Sequence, residues 1–287
     1  MGYKSTTFAE NNMKLSYNGY ALDLATPKVM GVLNVTPDSF YDGGKHFSMD
    51  NILKTCEQML NDGADIIDIG GVSTRPGAQE VTEQEEHDRV LPALKTLVKN
   101  FPQTWFSVDT YRSQIAEICV NEGARIINDI SGGNLDSNMF SVVGRLKIPY
   151  VLMHMHGTPQ TMQQNPLSDN VVFDVQHFFD KKVNQLKEHG VDQVILDPGY
   201  GFGKTLDANY TLLKNQDKIR VDNLPILTGI SRKSMINKVL DINPERALNG
   251  TTILNTLALQ QGANILRVHD VREAKECIIM MEKYQKA

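Results

Sequence analysis

The sequence places carboxylate, amide and cationic side chains at the ends of short apolar runs, where they could act together. In chain order, these run-end residues are Asn34, Asp68, Asp109, Asn128, Met153, Asp197, Ser231, Arg232, Lys233, Arg267 and His269. Burying an Asp or Asn without a partner is costly, so such groups must satisfy one another or bind a ligand. The set as a whole predicts a binding or catalytic site. For Asp68 alone, capping of a neighbouring turn is an alternative.

One part of this set suits a planar heterocycle that is rich in N–H donors. Two carboxylates can accept hydrogen bonds from a guanidine-like pair of N–H and NH2 groups, while an amide both donates and accepts. A lysine adds a donor for a carbonyl or a ring nitrogen, and Met and Phe side chains supply apolar faces. We therefore predict a heterocycle site formed by Asp109, Asn128, Met153, Asp197, Phe202 and Lys233.

The other part of the set is cationic and indicates a diphosphate site. Arg267 and His269 are two residues apart, which on a strand places both side chains on one face. The segment that follows them begins a helix, whose N-terminal N–H groups favour an anion. Asn34 would hold a Mg2+ ion on the diphosphate, because Mg2+ uses few protein ligands beside phosphate oxygens. A surface salt bridge is the alternative role for Arg267.

The stretch DPGYGFGKT, residues 197–205, looks like a phosphate-binding loop but lacks its spacing. A P-loop requires a Gly at the position that Pro198 occupies, and the glycines do not form the dinucleotide-binding pattern either. The stretch therefore predicts a tight turn after a strand, with Asp197 as its functional residue. Lys204 is interpreted as a solvated or loop-anchoring charge rather than as a phosphate ligand.

Eight short apolar runs alternate with helical patterns, and such runs are typical of strands buried on both faces of a parallel sheet. Together they predict an α/β fold, a (β/α)8 TIM barrel with seven helical connections and a closing helix, whose sites lie at the C-terminal strand ends. A doubly wound open sheet is the alternative. The predicted strands are residues 29–35, 64–70, 105–110, 125–131, 150–155, 193–199, 225–231 and 264–270.

Two local patterns refine this architecture. The segment KLSYNGYALDL, residues 14–24, alternates around Asn18-Gly19 and predicts a short N-terminal β-hairpin that covers the bottom of the barrel. Thr82 and Glu85 have the spacing of a capping box. Pro92 lies inside the helix that they begin and predicts a kink or a split there.

Composition limits the remaining possibilities. The length of 287 residues and the lack of a linker predict a single domain over residues 1–287. A net charge of −5 makes nucleic acid an unexpected partner, and no apolar stretch is long enough to predict a membrane span. Cys56, Cys119 and Cys277 show no disulfide or zinc-binding spacing, so we expect reduced thiols in the cytoplasm.

The motifs at the strand ends resemble those of the dihydropteroate synthase family of the folate pathway. They are NVTPDSFYDGG (34–44), DIGGVSTRPG (68–77), HMHGTPQTMQ (154–163), DPGYGFGKT (197–205), GISRKS (229–234) and RVHDV (267–271). The resemblance runs from about residue 15 to residue 285, with the motifs in the expected order. It implies condensation of 6-hydroxymethyl-7,8-dihydropterin diphosphate with p-aminobenzoate to give dihydropteroate and pyrophosphate, and it implies sensitivity to sulfonamides.

The resemblance also implies residue roles. The pterin would bind the heterocycle site named above, the diphosphate would bind Asn34, Arg75, Arg267 and His269, and Mg2+ would bind Asn34. Residues for p-aminobenzoate would be Phe40, Thr74, Arg75, Pro76, Lys233 and Ser234, of which Phe40 and Thr74–Pro76 belong to two mobile loops, and Asp42 shares the first loop. The expected catalytic residues are Asp109, Lys233, Arg267 and His269. The family commonly pairs through its later helices, so we expect a homodimer.

Three alternatives remain at this point. A metal-dependent barrel hydrolase could use His154, His156, His269 and Asp270, but the first two should face away from the barrel if Met153 faces inward. A pterin-dependent methyltransferase would share the Asp and Asn pocket without needing a diphosphate site. A non-catalytic pterin-binding barrel would be expected to lose the Lys, Arg or loop residues.

Overall fold

The structure, a computed structural model, describes residues 13–35, 49–72 and 81–287. Eight parallel strands form one sheet, and a separate two-stranded antiparallel hairpin precedes them. The hairpin strands are β1 (Lys14–Tyr17) and β2 (Tyr20–Asp23). The sheet strands are β3 (Lys28–Asn34), β4 (Ile66–Gly70), β5 (Trp105–Asp109), β6 (Ile126–Asp129), β7 (Tyr150–Met153), β8 (Val194–Asp197), β9 (Leu227–Thr228) and β10 (Ile265–Val268).

The sheet closes on itself and forms the predicted barrel. Its strand order is β8-β7-β6-β5-β4-β3-β10-β9. The two end strands meet through a parallel bridge between Leu196 and Ile226, and the Leu196 N–H donates to the Pro225 carbonyl at 2.8 Å. The prediction of a (β/α)8 barrel is therefore confirmed, and the open-sheet alternative is wrong.

The N-terminal hairpin lies at the bottom of the barrel, as predicted. Its turn residues Asn18 and Gly19 both have positive φ, at 47° and 81°, which the mirror-image turns of tight hairpins require. Leu15 is buried in the same apolar cluster as the inward-facing residues of the strand bases. The guanidinium of Arg125 lies 3.4 Å from the centroid of the Tyr20 ring and fastens the hairpin from outside.

The helices surround the barrel. Within the described ranges they are α1 (Met49–Asn61), α2 (Glu83–Asn100), α3 (Ser113–Asn121), α4 (Met139–Leu146), α5 (Val171–Glu188), α6 (Leu206–Lys214), α7 (Ser234–Leu240), α8 (Leu248–Gln260) and α9 (Val271–Gln285). The capping box of Thr82 and Glu85 is present at the start of α2. That helix runs as one element through Pro92, so the predicted split is wrong. Pro92 removes one backbone N–H from the hydrogen bonds of the helix. The N-terminal cap and the burial of Val90 and Leu94 stabilise the helix enough to offset that loss.

The connection between β9 and β10 also differs from the sequence expectation. Seven connections of one helix each were predicted, but this connection contains both α7 and α8. The apolar pattern of residues 234–260 is interrupted at Asp241, which has a left-handed φ of 51° and ends α7. A short 3-10 turn, Pro244–Arg246, then leads into α8.

Strand alternation arranges the barrel interior in layers. The lower layer, here called the floor layer, receives one apolar side chain from each strand: Met30, Ile66, Trp105, Ile126, Val151, Ile195, Leu227 and Ile265. Two residues further along the strands lies the polar layer: Val32, Asp68, Ser107, Asn128, Met153, Asp197, Gly229 and Arg267. The polar layer is the base of the barrel mouth. The intervening residues face the helices and form the main core.

No helix among the described residues is both long enough and apolar enough to cross a membrane.

Candidate active site

A network of ion pairs crosses the barrel mouth and joins three strands. The Arg267 guanidinium on β10 donates from Nε to Asp68 Oδ2 on β4 and from Nη2 to Asp109 Oδ2 on β5, both at 2.7 Å. Asp68 is fully buried, and the Asp109 and Arg267 side chains are 12% and 23% exposed. Burial in a low-dielectric interior strengthens such pairs, so the three groups form a rigid unit.

Asn128 joins this unit through Asp68. Its Nδ2 donates to Asp68 Oδ2 at 2.9 Å, which directs the amide oxygen elsewhere. That oxygen, Asn128 Oδ1, is buried and has no hydrogen-bond partner among the described residues, and the same holds for Asp68 Oδ1 and Ser107 Oγ of the same layer. Buried polar atoms of native proteins are nearly always satisfied, so unpartnered ones call for an explanation. Two acceptors and a hydroxyl on adjacent strands are the complement of a ligand that donates N–H groups.

The electrostatics of the network depend on burial. Burial raises the pKa of Asp109 to about 7, an effect that Arg267 opposes and that Asp68 reinforces. Burial lowers the pKa of Arg267, but the carboxylates of Asp68 and Asp109 outweigh it and hold the pKa above its ordinary value. The guanidinium therefore stays charged. Two carboxylates share one cation, which leaves the network ready to stabilise additional positive charge.

Asp197, Lys233 and Phe202 form the opposite wall of the mouth. Asp197 lies at the end of β8, and its Oδ1 accepts a hydrogen bond from the Gly199 N–H at 2.8 Å. Lys233 Nζ donates to the Tyr200 carbonyl at 2.6 Å and lies 4.7 Å from the centroid of the Phe202 ring. Burial lowers the pKa of Lys233 to about 8, although Asp197 opposes the shift. Lys233 is thus a charged donor near neutral pH that loses its proton more readily than an exposed lysine.

A strained turn after β9 directs Lys233 inward and Arg232 outward. Arg232 has a φ of 57°, a left-handed conformation that non-glycine residues adopt only when the surroundings enforce it. Its guanidinium donates to both carboxylate oxygens of Asp270, at 2.9 and 2.7 Å, and to the Pro244 carbonyl. Of the two cations in this turn, Lys233 faces the mouth, and Arg232 braces the turn against the start of α9.

His269 and Ser234 lie at the rim. His269 is exposed, and its Nδ1 lies 3.0 Å from Ser231 Oγ, which also accepts the His269 backbone N–H at 3.2 Å. These two contacts fix the imidazole plane beside Arg267. Ser234 is exposed at the first position of α7, directly after Lys233.

Asn34 lies at the end of β3, near Asp109. Its Oδ1 would be 3.7 Å and Asp109 Oδ2 3.9 Å from a Cβ placed at Gly70, so the bare glycine leaves both oxygens facing one space. An amide oxygen and a carboxylate oxygen are donors of the kind that Mg2+ prefers. Among the described residues, no group of three or more His, Cys, Asp or Glu side chains is arranged to hold a metal. The donor set therefore fits an ion that takes most of its ligands from phosphate and water.

The structure brings together most of the sequence-predicted site. Asn34, Asp109, Asn128, Met153, Asp197, Phe202, Lys233 and Arg267 all lie around the same mouth, with His269 and Ser234 at its rim. Met153 is buried with Met155 and contacts the wall that includes Phe202. The predicted residues of the two loops, Phe40, Asp42, Thr74, Arg75 and Pro76, lie outside the described residues.

For two residues, Asp68 and Lys204, the structure shows a larger role than the sequence predicted. Asp68 was offered a turn-capping role, but its side chain instead binds Arg267 and Asn128 across the barrel. Lys204 was offered a solvated role, but it is only 5% exposed and donates to the carbonyls of His154, Gly199 and Phe202 at 3.3, 2.9 and 3.1 Å. Its loop-anchoring role is what the structure shows. The signal for Asp68 was its position inside a wholly apolar run.

The residues considered for a metal-dependent hydrolase do not converge on one site. His154 is buried on the outer side of β7, where its ring packs edge-on against Phe178 of α5 with centroids 5.0 Å apart. Burial moves its pKa well below the ordinary value. Asp270 is occupied by Arg232. The expectation that His154 faces away from Met153 agrees with this arrangement.

Comparisons with known proteins identify the family to which the chain is similar. The pterin binding enzyme family matches residues 30–269. The chain is 43% identical to dihydropteroate synthase of Escherichia coli (strain K12) over 272 residues, which are 94% of this chain and 96% of that protein. It is 44% identical to dihydropteroate synthase of Haemophilus influenzae over 268 residues, which are 93% of this chain and 97% of that protein.

Solved structures give the same result. A Yersinia pestis dihydropteroate synthase in complex with a sulfonamide drug matches with a TM-score of 0.90 and 42% identity, covering 96% of this chain and 100% of that chain. A Xanthomonas albilineans dihydropteroate synthase with 4-aminobenzoic acid matches with a TM-score of 0.90 and 35% identity, covering 96% of this chain and 100% of that chain.

Proposed function

The chain belongs to the dihydropteroate synthases, transferases of folate biosynthesis within the pterin binding enzymes, and we propose that its barrel mouth joins 6-hydroxymethyl-7,8-dihydropterin diphosphate to p-aminobenzoate. One observation supports this assignment of the site above all. Asp68 and Asn128 each have a buried acceptor oxygen that has no hydrogen-bond partner among the described residues, in the polar layer that also carries Asp197 beside Lys233. A pterin edge supplies N–H donors for these acceptors and a carbonyl for the lysine.

The pterin ring is placed against apolar side chains in this arrangement. Met153 and Phe202, which belong to one apolar cluster, supply that surface. Asn128 accepts from the ring because its amide nitrogen is already committed to Asp68. Asp197 accepts from the guanidine-like edge, and Lys233 donates to a ring acceptor. These residues bind and orient the pterin, and Asp109 lies above it beside Arg267.

The diphosphate lies at the cationic side of the mouth. Arg267 donates from Nε and Nη2 to its two carboxylates, and among the described residues Nη1 has no hydrogen-bond acceptor, so it can donate to a phosphate oxygen. His269 adds a donor at the rim, and α9 begins directly after it with its free N–H groups. Asn34 would hold Mg2+, which supplies additional positive charge to the phosphate oxygens when bound. Arg75, which lies outside the described residues, is assigned here only by the motif.

The chemistry requires charge stabilisation more than proton transfer. The pterin CH2–O bond breaks, its electron pair leaves with the diphosphate, and the aniline nitrogen forms the new C–N bond and loses a proton. Asp109 stabilises positive charge on the methylene, while Arg267 and His269 stabilise the leaving diphosphate; such prearranged electrostatics usually form the largest catalytic effect. An aniline is a weak base, so no strong general base is needed. Asp109, Lys233, Arg267 and His269 are accordingly the proposed catalytic residues.

p-Aminobenzoate is proposed to lie at the rim between Lys233 and the exposed Ser234, with the loop residues Phe40, Thr74, Arg75 and Pro76 assigned by motif. A sulfonamide should compete for this place. The test is inhibition of pyrophosphate release by a sulfonamide at several p-aminobenzoate concentrations. Competitive inhibition is expected, and inhibition unaffected by p-aminobenzoate would contradict the placement.

The reaction itself is tested by pyrophosphate release from the purified chain. Release is expected only when the pterin diphosphate, p-aminobenzoate and Mg2+ are all present. Omission of p-aminobenzoate is the control for simple hydrolysis. Absence of release with all three components would overturn the proposed function, and release undiminished by a chelator would overturn the Mg2+ proposal alone.

A homodimer is proposed from the surface of the last three helices. Helix α8 has no charged residue, and Ile253 and Leu257 on it are 52% and 44% exposed. On the adjacent α9, Ile279, Met280 and Tyr284 are between 58% and 74% exposed. Helix faces in contact with water are normally polar, so this face fits a second copy of the chain. Light scattering should give twice the monomer mass, and Ile253→Lys should give the monomer mass; a monomeric parent protein would refute the proposal.

A cytoplasmic location is proposed from the thiols. Cys56, Cys119 and Cys277 are all free and buried. Fractionation of the source cells with detection by an antibody would test it, and recovery outside the cytoplasm would refute it.

A further inference from the structure

Lys204 is buried behind the wall of the mouth that Asp197, Lys233 and Phe202 form, where its side chain is nearly excluded from water. Its ammonium group donates to three backbone carbonyls that belong to different parts of the wall. A buried lysine is unusual unless its charge and all three donors are used. Each acceptor adjoins a residue already placed around the pterin: His154 follows Met153, Gly199 follows Asp197 by two residues, and Phe202 is itself part of the wall.

We propose that Lys204 is a positioning residue, which holds the turn after β8 against β7 and adds a buried positive charge near Asp197, whose carboxylate binds the pterin. The inference rests on the proposed role of Asp197 in binding the pterin. It does not place Lys204 in contact with substrate.

The link between Lys204 and Asp197 passes through one residue, Gly199. The Gly199 N–H donates to Asp197 Oδ1 at 2.8 Å, and the Gly199 carbonyl accepts from Lys204 Nζ at 2.9 Å. Gly199 has a φ of 64°, and a Cβ there would overlap the His154 carbonyl oxygen, so the turn lies tightly on β7. By holding Gly199 in place, the lysine helps to fix the orientation of the Asp197 carboxylate.

Among the described residues, Lys233, Arg267 and Lys204 are the cations that act on Asp197, and Asp197 and Lys233 are the charges that act on Lys204. His154 on β7 also lies close to Lys204, but burial holds its pKa well below the ordinary value, so it is neutral. Burial raises the pKa of Asp197, and the three cations oppose that shift, Lys233 most and Lys204 least. Burial also lowers the pKa of Lys204 to about 7, so its charge is complete only below that pH. Removing the Lys204 charge should therefore raise the Asp197 pKa further in the acid range.

A second anchor of the same turn allows position and charge to be separated. Asn209 on α6 accepts the Gly201 N–H at 2.7 Å and donates to the Lys204 carbonyl at 3.1 Å. It holds the turn without carrying a charge. Asn209→Ala therefore loosens the turn and leaves the charge beside Asp197 in place, whereas Lys204→Met removes both.

The experiment measures binding of the pterin diphosphate without p-aminobenzoate, by calorimetry, as a function of pH. In Lys204→Met, affinity near neutral pH should fall about tenfold, and the acid midpoint of binding should move to higher pH. In Asn209→Ala, affinity should fall while the midpoint stays. Lys204→Arg should keep the midpoint of the parent protein because it keeps the charge. Lys214→Met, at an exposed lysine that ends α6, is the matched control and should change neither quantity.

The outcomes distinguish failure of the Lys204 proposal from failure of the proposed function. If Lys204→Met binds more weakly with an unmoved midpoint, the lysine is merely structural and the proposal fails. Should Lys204→Met not fold, as judged by circular dichroism, Lys204→Arg decides: a midpoint displaced to higher pH despite the retained charge refutes the proposal. If the parent protein does not bind the pterin diphosphate at all, the proposed function fails instead.

Discussion

The floor layer and the polar layer of the barrel differ in chemistry although the same eight strands build both. The floor layer is wholly apolar and buried, and the hairpin covers it from below. Two residues further along the strands, Asp68, Ser107 and Asn128 are just as buried but retain polar atoms without partners. The apolar side chains of the floor layer are stabilised by packing against one another. The polar atoms of the polar layer gain hydrogen-bond partners only when a ligand binds. Stability and activity should therefore be separable by layer.

The largest effect is expected for Lys233→Ala, at the mouth. Loss of a prearranged charged donor should lower kcat/KM about 100- to 1000-fold. Thermal unfolding should remain close to that of the parent protein, because burial of this lysine is itself unfavourable. Lys238→Ala, at an exposed lysine on α7, is the control and should leave both quantities unchanged. A large loss of stability with normal activity in Lys233→Ala would contradict the separation of stability and activity between the two layers.

The floor layer should show the reverse behaviour. Ile126→Ala removes a fully buried side chain and should lower the free energy of unfolding by about 2–5 kcal/mol, while Ile126→Val should cost about 1 kcal/mol. Urea unfolding measures both. The kcat/KM of the folded fraction should stay within about twofold, since no floor residue contacts the ligand. A loss of activity comparable to that of Lys233→Ala would show that the two layers are coupled.

Asp68→Asn tests the hydrogen bonds within the polar layer, and its expected effect on ligand affinity is smaller. The variant keeps the side-chain volume but removes the charge that Arg267 and Asn128 share. Affinity for the pterin diphosphate, measured by calorimetry, should fall about tenfold, the usual cost of a lost charged hydrogen bond. Asp192→Asn, at an exposed aspartate, is the control. Unchanged affinity would mean that Asn128 and Arg267 are held in place without Asp68.

The smallest and most specific effect is in the pH profile. Burial raises the Asp109 pKa to about 7 and lowers the Lys233 pKa to about 8. If ionised Asp109 and charged Lys233 are required, kcat/KM falls as pH drops through about 7 and also as it rises through about 8. Lys233→Arg keeps its charge above that value, so its alkaline limb should move to higher pH. An alkaline limb that does not move would exclude Lys233 as its source.

Much of this architecture could be predicted because buried parallel strands have a strong sequence signal. The apolar runs predicted all eight strands, and alternation predicted that His154 faces away from the barrel if Met153 faces inward. The contact between Asp68 and Arg267 could not be predicted, since the two residues are 199 positions apart and no local pattern encodes barrel closure. Burial of Lys204 was missed for a related reason. Its three acceptors are backbone carbonyls, which carry no sequence signal.

The hairpin turn at Asn18-Gly19 has a kinetic consequence. Leu15 of the hairpin packs into the apolar cluster of the floor layer, so side chains of both close the lower end of the barrel. If the pterin lies against the polar layer as proposed, it should bind before p-aminobenzoate, which is proposed to lie at the rim. The two hairpin strands, of four residues each, thus help to close the end of the barrel opposite to the chemistry.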